Sequence, residues 1–92
     1  MSGAYELHFS ASAKRALSER LPETVAAAAF EFITGDLAIN PKRVGKQLRD
    51  PLHPLYSARR GEYRIIYRLD DNRGRIEIVS ISHRRDAYTG RS

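Results

Sequence analysis

The sequence predicts an α+β fold, in which a small, mainly antiparallel sheet of four strands follows the order β-α-α-β-β-β and two N-terminal helices pack on one face. Three observations predict this class. Residues 4–9 alternate between polar and apolar side chains, residues 13–38 place apolar side chains at helical spacing, and three strand-like segments separated by turn residues fill 55–82. The length of 92 residues fits one domain, which we expect to occupy residues 1–92.

The pattern near the N-terminus predicts the first strand and the first helix. In AYELHF (residues 4–9) the side chains at 5, 7 and 9 are large and apolar, whereas the side chains at 6 and 8 are polar. This alternation is typical of a strand with one buried face. Ser10 or Ser12 can cap the short helix that follows, and Pro22 ends it.

The second helix is predicted from residue 23 to about residue 38, where apolar residues recur every three or four positions. Asn40-Pro41 stops this helix, because the residue before a proline is pushed away from helical geometry. The next segment, KRVGKQLRDP (residues 42–51), is basic and is interrupted by Gly45. We expect it to be a connector with at most one helical turn.

Three strand-like segments follow, LYSAR (55–59), EYRIIYRL (62–69) and RIEIVSIS (75–82). Arg60-Gly61 and the turn sequence DDNRG separate them, so the three strands are predicted to form an antiparallel meander. Alternation in the middle strand directs its tyrosines towards the helices and its arginines to the opposite face. The first strand must join the same sheet, at an edge that the sequence does not identify.

Charge is distributed unevenly along the chain, whose net charge is +5. Thirteen of the sixteen Lys and Arg residues lie in residues 41–92, against six of the eleven Asp and Glu residues. Most of these cations are arginines, whose planar guanidinium suits phosphate and carboxylate groups. A basic charge also keeps a small domain soluble, but its concentration in one half favours an anionic partner, most simply a nucleic acid.

Several classes of protein are disfavoured by what the sequence lacks. There is no cysteine, no glycine-rich phosphate-binding motif and no zinc-protease motif, and His8, His53 and His83 are widely spaced. We therefore expect neither a metal nor an organic cofactor. The first residues lack the pattern of a signal peptide, and no apolar run in the sequence reaches membrane-spanning length. We therefore expect a soluble, cytoplasmic protein with no membrane partner.

Arg59, Arg64 and Arg84 are predicted to converge. The tight turn at Gly61 brings Arg64 back beside Arg59, and the end of the last strand lies near the start of its antiparallel neighbour. Tyr88 follows Arg84 by four residues, which places both side chains on one side of a helical turn or an extended tail. The sequence thus predicts a cluster of cations with an aromatic hydroxyl beside it.

The segments QLRDPLHPLYSARRGEYRIIYRL and IEIVSISHRRDAY resemble the C-terminal half of the RelE/ParE superfamily of bacterial toxin–antitoxin systems. The ending with HRR and a tyrosine resembles the RelE branch, whose members cut messenger RNA in the ribosomal A site, more than the ParE branch, whose members poison DNA gyrase. The resemblance implies an endoribonuclease that needs no metal and a cognate RelB-like antitoxin as partner. It also implies contact with messenger and ribosomal RNA on the ribosome, and with DNA only through the antitoxin.

The resemblance implies the catalytic residues Arg64, Arg84 and Tyr88. Two lysines that many RelE toxins carry correspond to Ser57 and Arg59, so one of these cations is absent here. The resemblance and the charge pattern together imply that RNA or phosphate is bound by Arg59, His83, Lys46 and Arg85.

The proton acceptor stays open at this point. The 2′-hydroxyl of a ribose must lose its proton to attack the adjacent phosphate, and arginine is a poor base. Tyr88 and His83 are both candidates, and Tyr88 can instead stack on a base. Another branch of the family uses a glutamate from the connector, where this chain has Lys46 and Gln47, so that carboxylate mechanism is not expected.

Two other functions remain compatible with the sequence. A gyrase inhibitor would need binding but no chemistry of its own, and the presence of Arg64, Arg84 and Tyr88 together argues against it. A degenerate relative that binds only its antitoxin is compatible with the departure at Ser57.

Overall fold

The computed structural model describes residues 4–84, and the predicted elements appear in the predicted order. The strand β1 (Glu6–Phe9) is followed by helix α1 (Ala11–Arg15) with a π-helical turn (Ala16–Arg20), and then by helix α2 (Glu23–Phe32) with a second π-helical turn (Ile33–Leu37). The remaining elements are helix α3 (Pro41–Val44) and the strands β2 (Lys46–Gln47), β3 (Tyr56–Arg60), β4 (Tyr63–Asp70) and β5 (Arg75–His83).

The sheet is mixed and has five strands in the order β1-β5-β4-β3-β2. Strand β1 runs parallel to β5, and all other neighbours are antiparallel. The predicted α+β class is confirmed, but the predicted count of four strands was one too low. The additional strand is β2, two residues of the segment predicted to be a connector, which pair with Tyr56 and Ser57 of β3.

Ser10 joins the first helix to the sheet. Its hydroxyl oxygen accepts a hydrogen bond from the Ala13 amide at 3.0 Å, which makes Ser10 the N-cap of α1. The same hydroxyl donates to the Val79 carbonyl at 2.6 Å. Val79 lies at an irregularity in the pairing of β4 with β5, where Ile66 pairs with Ser80 and Tyr67 with Ile78. A bulged residue leaves backbone groups without a partner in the sheet, and here the Val79 carbonyl accepts its hydrogen bond from the Ser10 hydroxyl instead.

The helices cover one face of the sheet, and the buried core lies between them. Small and branched helical side chains meet the inward-facing side chains of β4 and β5, and this cluster includes Ala13, Ala16, Ala29, Ile33, Leu37, Ile65, Tyr67, Ile76 and Ile78. The predicted faces of β4 are confirmed, because Ile65 and Tyr67 are fully buried while Arg64 and Arg68 are exposed. Within residues 4–84, no helix is both long and apolar enough to cross a membrane.

Tyr67 satisfies its buried hydroxyl by donating to the Pro41 carbonyl at 2.6 Å. Burial raises the pKa of Tyr67 to about 12, so the hydroxyl stays neutral at physiological pH. This hydrogen bond fixes α3 against β4 and thereby positions the edge strand β2 that follows α3.

Two turns define the ends of the central strand. Gly61 and Glu62 form the two-residue turn between β3 and β4, and Gly61 has a φ of 51°, a conformation that favours glycine. At the opposite end, Asp71 binds Lys42 Nζ at 3.0 Å and accepts a hydrogen bond from the Tyr5 hydroxyl at 2.8 Å. The hydrogen bonds from Lys42 and Tyr5 hold the pKa of Asp71 below its usual value.

Candidate functional site

A cleft opens at the end of the sheet where the β3–β4 turn meets the end of β5. Its volume is about 290 Å³, and its lining consists of Arg59, Gly61, Glu62, Tyr63, Arg64, Ser82, His83 and Arg84. Small-ligand pockets begin at roughly 300 Å³, so the cleft has room for the sugar and phosphate of one nucleotide rather than for a large cofactor.

The strand register brings the predicted arginines together. Arg59 of β3 lies directly opposite Arg64 of β4, and Arg64 lies opposite Ser82 of β5. Residues directly opposite each other in an antiparallel pair present their side chains on the same face. Arg84 reaches the same place after β5, where its amide donates to the Glu62 carbonyl at 2.6 Å. The three side chains predicted to converge therefore line one cleft.

Within residues 4–84, these three arginines form no ion pair. Arg59, Arg64 and Arg84 are exposed, and among residues 4–84 no carboxylate forms an ion pair with any of them. A cluster of cations repels itself unless an anion binds, so the arrangement favours an anionic ligand.

The arginines at the other end of the sheet are paired with carboxylates. Arg68 lies 3.4 Å from Glu77, and Arg73 lies 3.9 Å from Asp70. Arg75 lies 4.0 Å from Glu6. Asp70 thus offsets the charge of Arg73, whereas the carboxylate of Asp71 binds Lys42 and Tyr5.

His83 reaches the cleft from the inner side of the sheet. It lies opposite Tyr63, whose ring is buried under the helices, and only 11% of the His83 side chain is exposed. His83 Nε2 is 3.1 Å from Oε1 of Glu62. The histidine therefore belongs to the cleft, but a carboxylate already contacts one of its ring nitrogens.

Glu62 is the residue of this cleft that the sequence did not reveal. It occupies the second position of the β3–β4 turn, and 59% of its side chain is exposed. A glutamate in a turn is ordinarily a surface residue, and only the pairing of Tyr63 with His83 shows that its neighbour Glu62 meets the histidine. Among the described residues it is the only carboxylate that lines the cleft.

Lys46 does not line the cleft but lies on the same face of the sheet. It is directly opposite Ser57, and Ser57 is two residues from Arg59 along β3. Side chains two apart on a strand share a face. The pair Lys46–Ser57 therefore lies on the same face as the pair Arg59–Arg64, one step along the strands. Arg85 and Tyr88, also predicted to be site residues, lie outside the described residues.

The other histidines lie away from the cleft. His8 of β1 contacts Glu6 at 3.2 Å, and His53 is exposed in the loop before β3. In the described part of the chain, no three His, Cys, Asp or Glu side chains come close enough together to hold a metal ion. The chemistry that the described cleft offers is thus binding by guanidinium groups, with a carboxylate and an imidazole available for proton transfer.

The chain is similar to known proteins over nearly its whole length. Residues 5–88 match the family described as the ParE toxin of the type II toxin–antitoxin system parDE. A Mycobacterium tuberculosis protein named Toxin RelE is 49% identical over 84 residues, which are 91% of this chain and 86% of that protein. A second protein of the same organism, Toxin RelG, is 45% identical over 84 residues, or 91% of this chain and 95% of that protein.

Solved structures share the fold. A chain of the crystal structure of the toxin–antitoxin complex RelBE2 from Mycobacterium tuberculosis is 44% identical, with a TM-score of 0.84 covering 88% of this chain and 92% of that chain. The isolated RelE toxin of E. coli has a TM-score of 0.67 at 20% identity, covering 97% of this chain and 88% of that chain. The second similarity concerns the fold alone.

Proposed function

The chain belongs to the RelE/ParE superfamily of type II toxins, in its RelE branch, and from this premise we propose that it cuts messenger RNA on the ribosome and so inhibits translation. The observation that carries the proposal is the cleft in which Arg59, Arg64 and Arg84 converge without a carboxylate partner among the described residues. A phosphodiester supplies the negative charge that such a cleft favours.

The arginines stabilise the charge that develops during cleavage. The ribose 2′-oxygen loses its proton and bonds to the adjacent phosphorus, the bond from phosphorus to the 5′-oxygen breaks, and the 5′-oxygen gains a proton. The products are a 2′,3′-cyclic phosphate and a 5′-hydroxyl. Arg64 and Arg59 hold the non-bridging oxygens, on which negative charge accumulates in the transition state, and Arg84 contacts the departing 5′-oxygen.

The remaining predicted residues bind the RNA around this point. Lys46 extends the basic face towards the edge of the sheet, where it contacts a neighbouring phosphate. Arg85 and Tyr88 follow Arg84 closely in sequence, and we assign them contact with the RNA, with Tyr88 stacking on a base of the codon. His83 completes the wall of the cleft.

The arginines by themselves do not orient a flexible RNA strand. A ribosome holds the codon in the A site in a defined conformation, which removes most of the entropic cost of positioning the 2′-oxygen in line with the leaving group. We therefore propose that cleavage depends on the ribosome and takes place in the cytoplasm.

A cognate RelB-like antitoxin is the partner we propose for the resting state. The related structure with 44% identity is that of a toxin–antitoxin complex. Acidic and apolar residues of such an antitoxin would complement the basic face. Any contact with DNA would be made by the antitoxin.

Inhibition of DNA gyrase is the second candidate, because the matching family is described by the name of the ParE toxin. A gyrase inhibitor requires no transfer of a proton. A toxin that binds its antitoxin but no longer cuts is the third possibility.

The test is 5′-end mapping of messenger RNA on programmed ribosomes with the wild type, Arg64→Ala, Arg84→Ala and Tyr88→Phe. We expect cuts within the A-site codon, reduced roughly 10²- to 10³-fold in each arginine variant, because each loses a group that stabilises the transition state. Arg68→Ala is the matched control, since Arg68 lies on the same face of β4 but is paired with Glu77.

Each alternative predicts a different result. Folded wild-type protein that leaves the messenger intact but inhibits supercoiling by gyrase would replace this proposal with the second candidate. Protein that does neither and still binds its antitoxin would support the third.

A further inference from the structure

Glu62 places a carboxylate in a cleft that otherwise gathers cations. Its side chain lines the cleft with Arg59, Arg64 and Arg84, and its backbone carbonyl accepts the Arg84 amide at 2.6 Å. This hydrogen bond fixes the backbone of Glu62 relative to Arg84. Since the three arginines form no ion pair with it, neutralising them is not its evident role.

The proposed reaction needs a group that accepts the proton of the 2′-hydroxyl. Arginine stays protonated in proteins and cannot perform this step. His83 is an obvious candidate, but a carboxylate only accepts hydrogen bonds, so the 3.1 Å contact requires the hydrogen on Nε2 of His83 when Glu62 is ionised. The donor in this pair is therefore the histidine, and the acceptor is the glutamate.

Exposure separates the two residues further. The His83 side chain is 11% exposed and lies opposite buried Tyr63, whereas 59% of the Glu62 side chain is exposed. Oε1 of Glu62 receives the histidine, and Oε2 makes no hydrogen bond within the described residues. Oε2 is thus a proton-accepting atom of the cleft, on a side chain that an RNA strand can approach.

We propose that Glu62 is the general base of this site and that His83 is a positioning residue that holds it. The inference rests on the proposed function. Glu62 Oε2 takes the proton of the 2′-hydroxyl as the 2′-oxygen bonds to the phosphorus held by Arg64 and Arg59. The bond from phosphorus to the 5′-oxygen then breaks, the 5′-oxygen is protonated from solvent beside Arg84, and Glu62 returns its proton to solvent.

The origin of the carboxylate distinguishes this site from the arrangement that the sequence led us to exclude. The connector positions at which another branch of the family has its glutamate are Lys46 and Gln47 here, and they form the edge strand β2. In this chain the carboxylate comes from the turn between β3 and β4 instead. A turn residue can reach the cleft because β3 and β4 both end there.

The first experiment compares single-turnover cleavage on programmed ribosomes by the wild type and Glu62→Gln. Glutamine keeps the size of the side chain and an oxygen that accepts the His83 hydrogen bond, but it is not a base. We expect the rate at saturating toxin to fall roughly 10²- to 10⁴-fold, while the toxin concentration that gives half-maximal rate changes less than about twofold. Glu77→Gln is the matched control, because Glu77 lies on the sheet outside the cleft.

The role of His83 is tested by its own pair of variants. His83→Gln keeps an N–H that can donate to Glu62, so we expect it to retain more activity than His83→Ala. Should Glu62→Gln fold poorly, Glu62→Ala supplemented with formate provides a second test. An added carboxylate should restore part of the lost rate if a carboxylate is the base.

The outcomes separate this inference from the proposed function. Cleavage by Glu62→Gln at the wild-type rate, or a loss that saturating toxin fully restores, would overturn the inference and leave the nuclease intact. A folded wild-type protein that does not cut at all would overturn both.

Discussion

Arg64 and Arg68 are two exposed residues of the same strand with different surroundings. Arg64 faces Arg59 across the strands, whereas the charge of Arg68 is offset by Glu77 at 3.4 Å. An arginine beside another arginine is costly in the free protein and gains the most when an anion arrives. The position of the carboxylates, more than the number of arginines, thus distinguishes the two ends of this sheet.

Lys46 gives a prediction at the scale of single residues. The resemblance expects a cation where Ser57 stands, and Lys46 is the residue directly opposite Ser57. We expect Lys46→Ala to lower ribosomal cleavage about tenfold, because a phosphate contact worth roughly 1 kcal/mol or more is lost. Adding Ser57→Lys to this variant should restore most of the activity, since the new lysine lies on the same face.

The control for this pair is Lys42→Ala, which removes a lysine that binds Asp71 at the other end of the sheet. It should leave cleavage nearly unchanged. If Lys46→Ala has no effect, or if Ser57→Lys does not restore the loss, then Lys46 does not supply the missing cation.

At the scale of elements, the helices and long strands could be predicted because each buries one face and carries a matching apolar period. Strand β2 could not be predicted. Its two residues, Lys46 and Gln47, are polar and exposed, and only their pairing with β3 makes them a strand. The sequence also could not predict that β1 pairs with β5 in parallel. A long connection separates these strands, and it does not determine at which edge of the sheet β1 is added.

The candidate site likewise contains residues that the sequence could predict and one that it could not. The convergence of Arg59, Arg64 and Arg84 could be predicted, because a meander with short turns determines which strand ends meet. Glu62 could not, because its contact with His83 depends on the register between β4 and β5 and on how the end of β5 turns. Local sequence describes the turn and does not give the direction of its side chain.

Gly45 gives a prediction at the junction of two elements, α3 and β2. A Cβ atom at this position would overlap the hydroxyl of Tyr67 and lie 2.9 Å from the Ser57 carbonyl oxygen. Gly45→Ala must therefore displace Tyr67 from Pro41 or push β2 away from β3. We expect the free energy of unfolding to fall by about 1 to 3 kcal/mol in urea denaturation, the usual cost of overpacking.

Gly35→Ala is the matched control, because nothing lies within 4 Å of a Cβ added there. Its stability should match or slightly exceed that of the wild type, since alanine favours a helix over glycine. Equal stabilities for the two variants would show that Tyr67 does not approach Gly45 as closely as described.

At the scale of the whole molecule, the acidic first part of the chain supplies helices and the basic second part supplies the cleft. Binding to ribosomes should weaken as salt increases, because each phosphate contact releases condensed counterions. We expect Arg64→Ala to reduce the slope of log affinity against log salt by about 0.7 to 1. Arg73→Ala, which removes an arginine paired with Asp70, should leave the slope unchanged.

Equilibrium titrations of labelled toxin with ribosomes at several salt concentrations measure this slope. The same slope for wild type and Arg64→Ala would mean that Arg64 contacts no phosphate.

The parallel pairing of β1 with β5 also sets the order in which the molecule can be completed. Glu6 pairs with Arg75, so the earliest strand to leave the ribosome waits for the latest described strand before it gains its neighbour. All the residues that line the cleft are likewise made after the helices. A nascent chain therefore carries its helices before the sheet is finished and before the cleft is assembled.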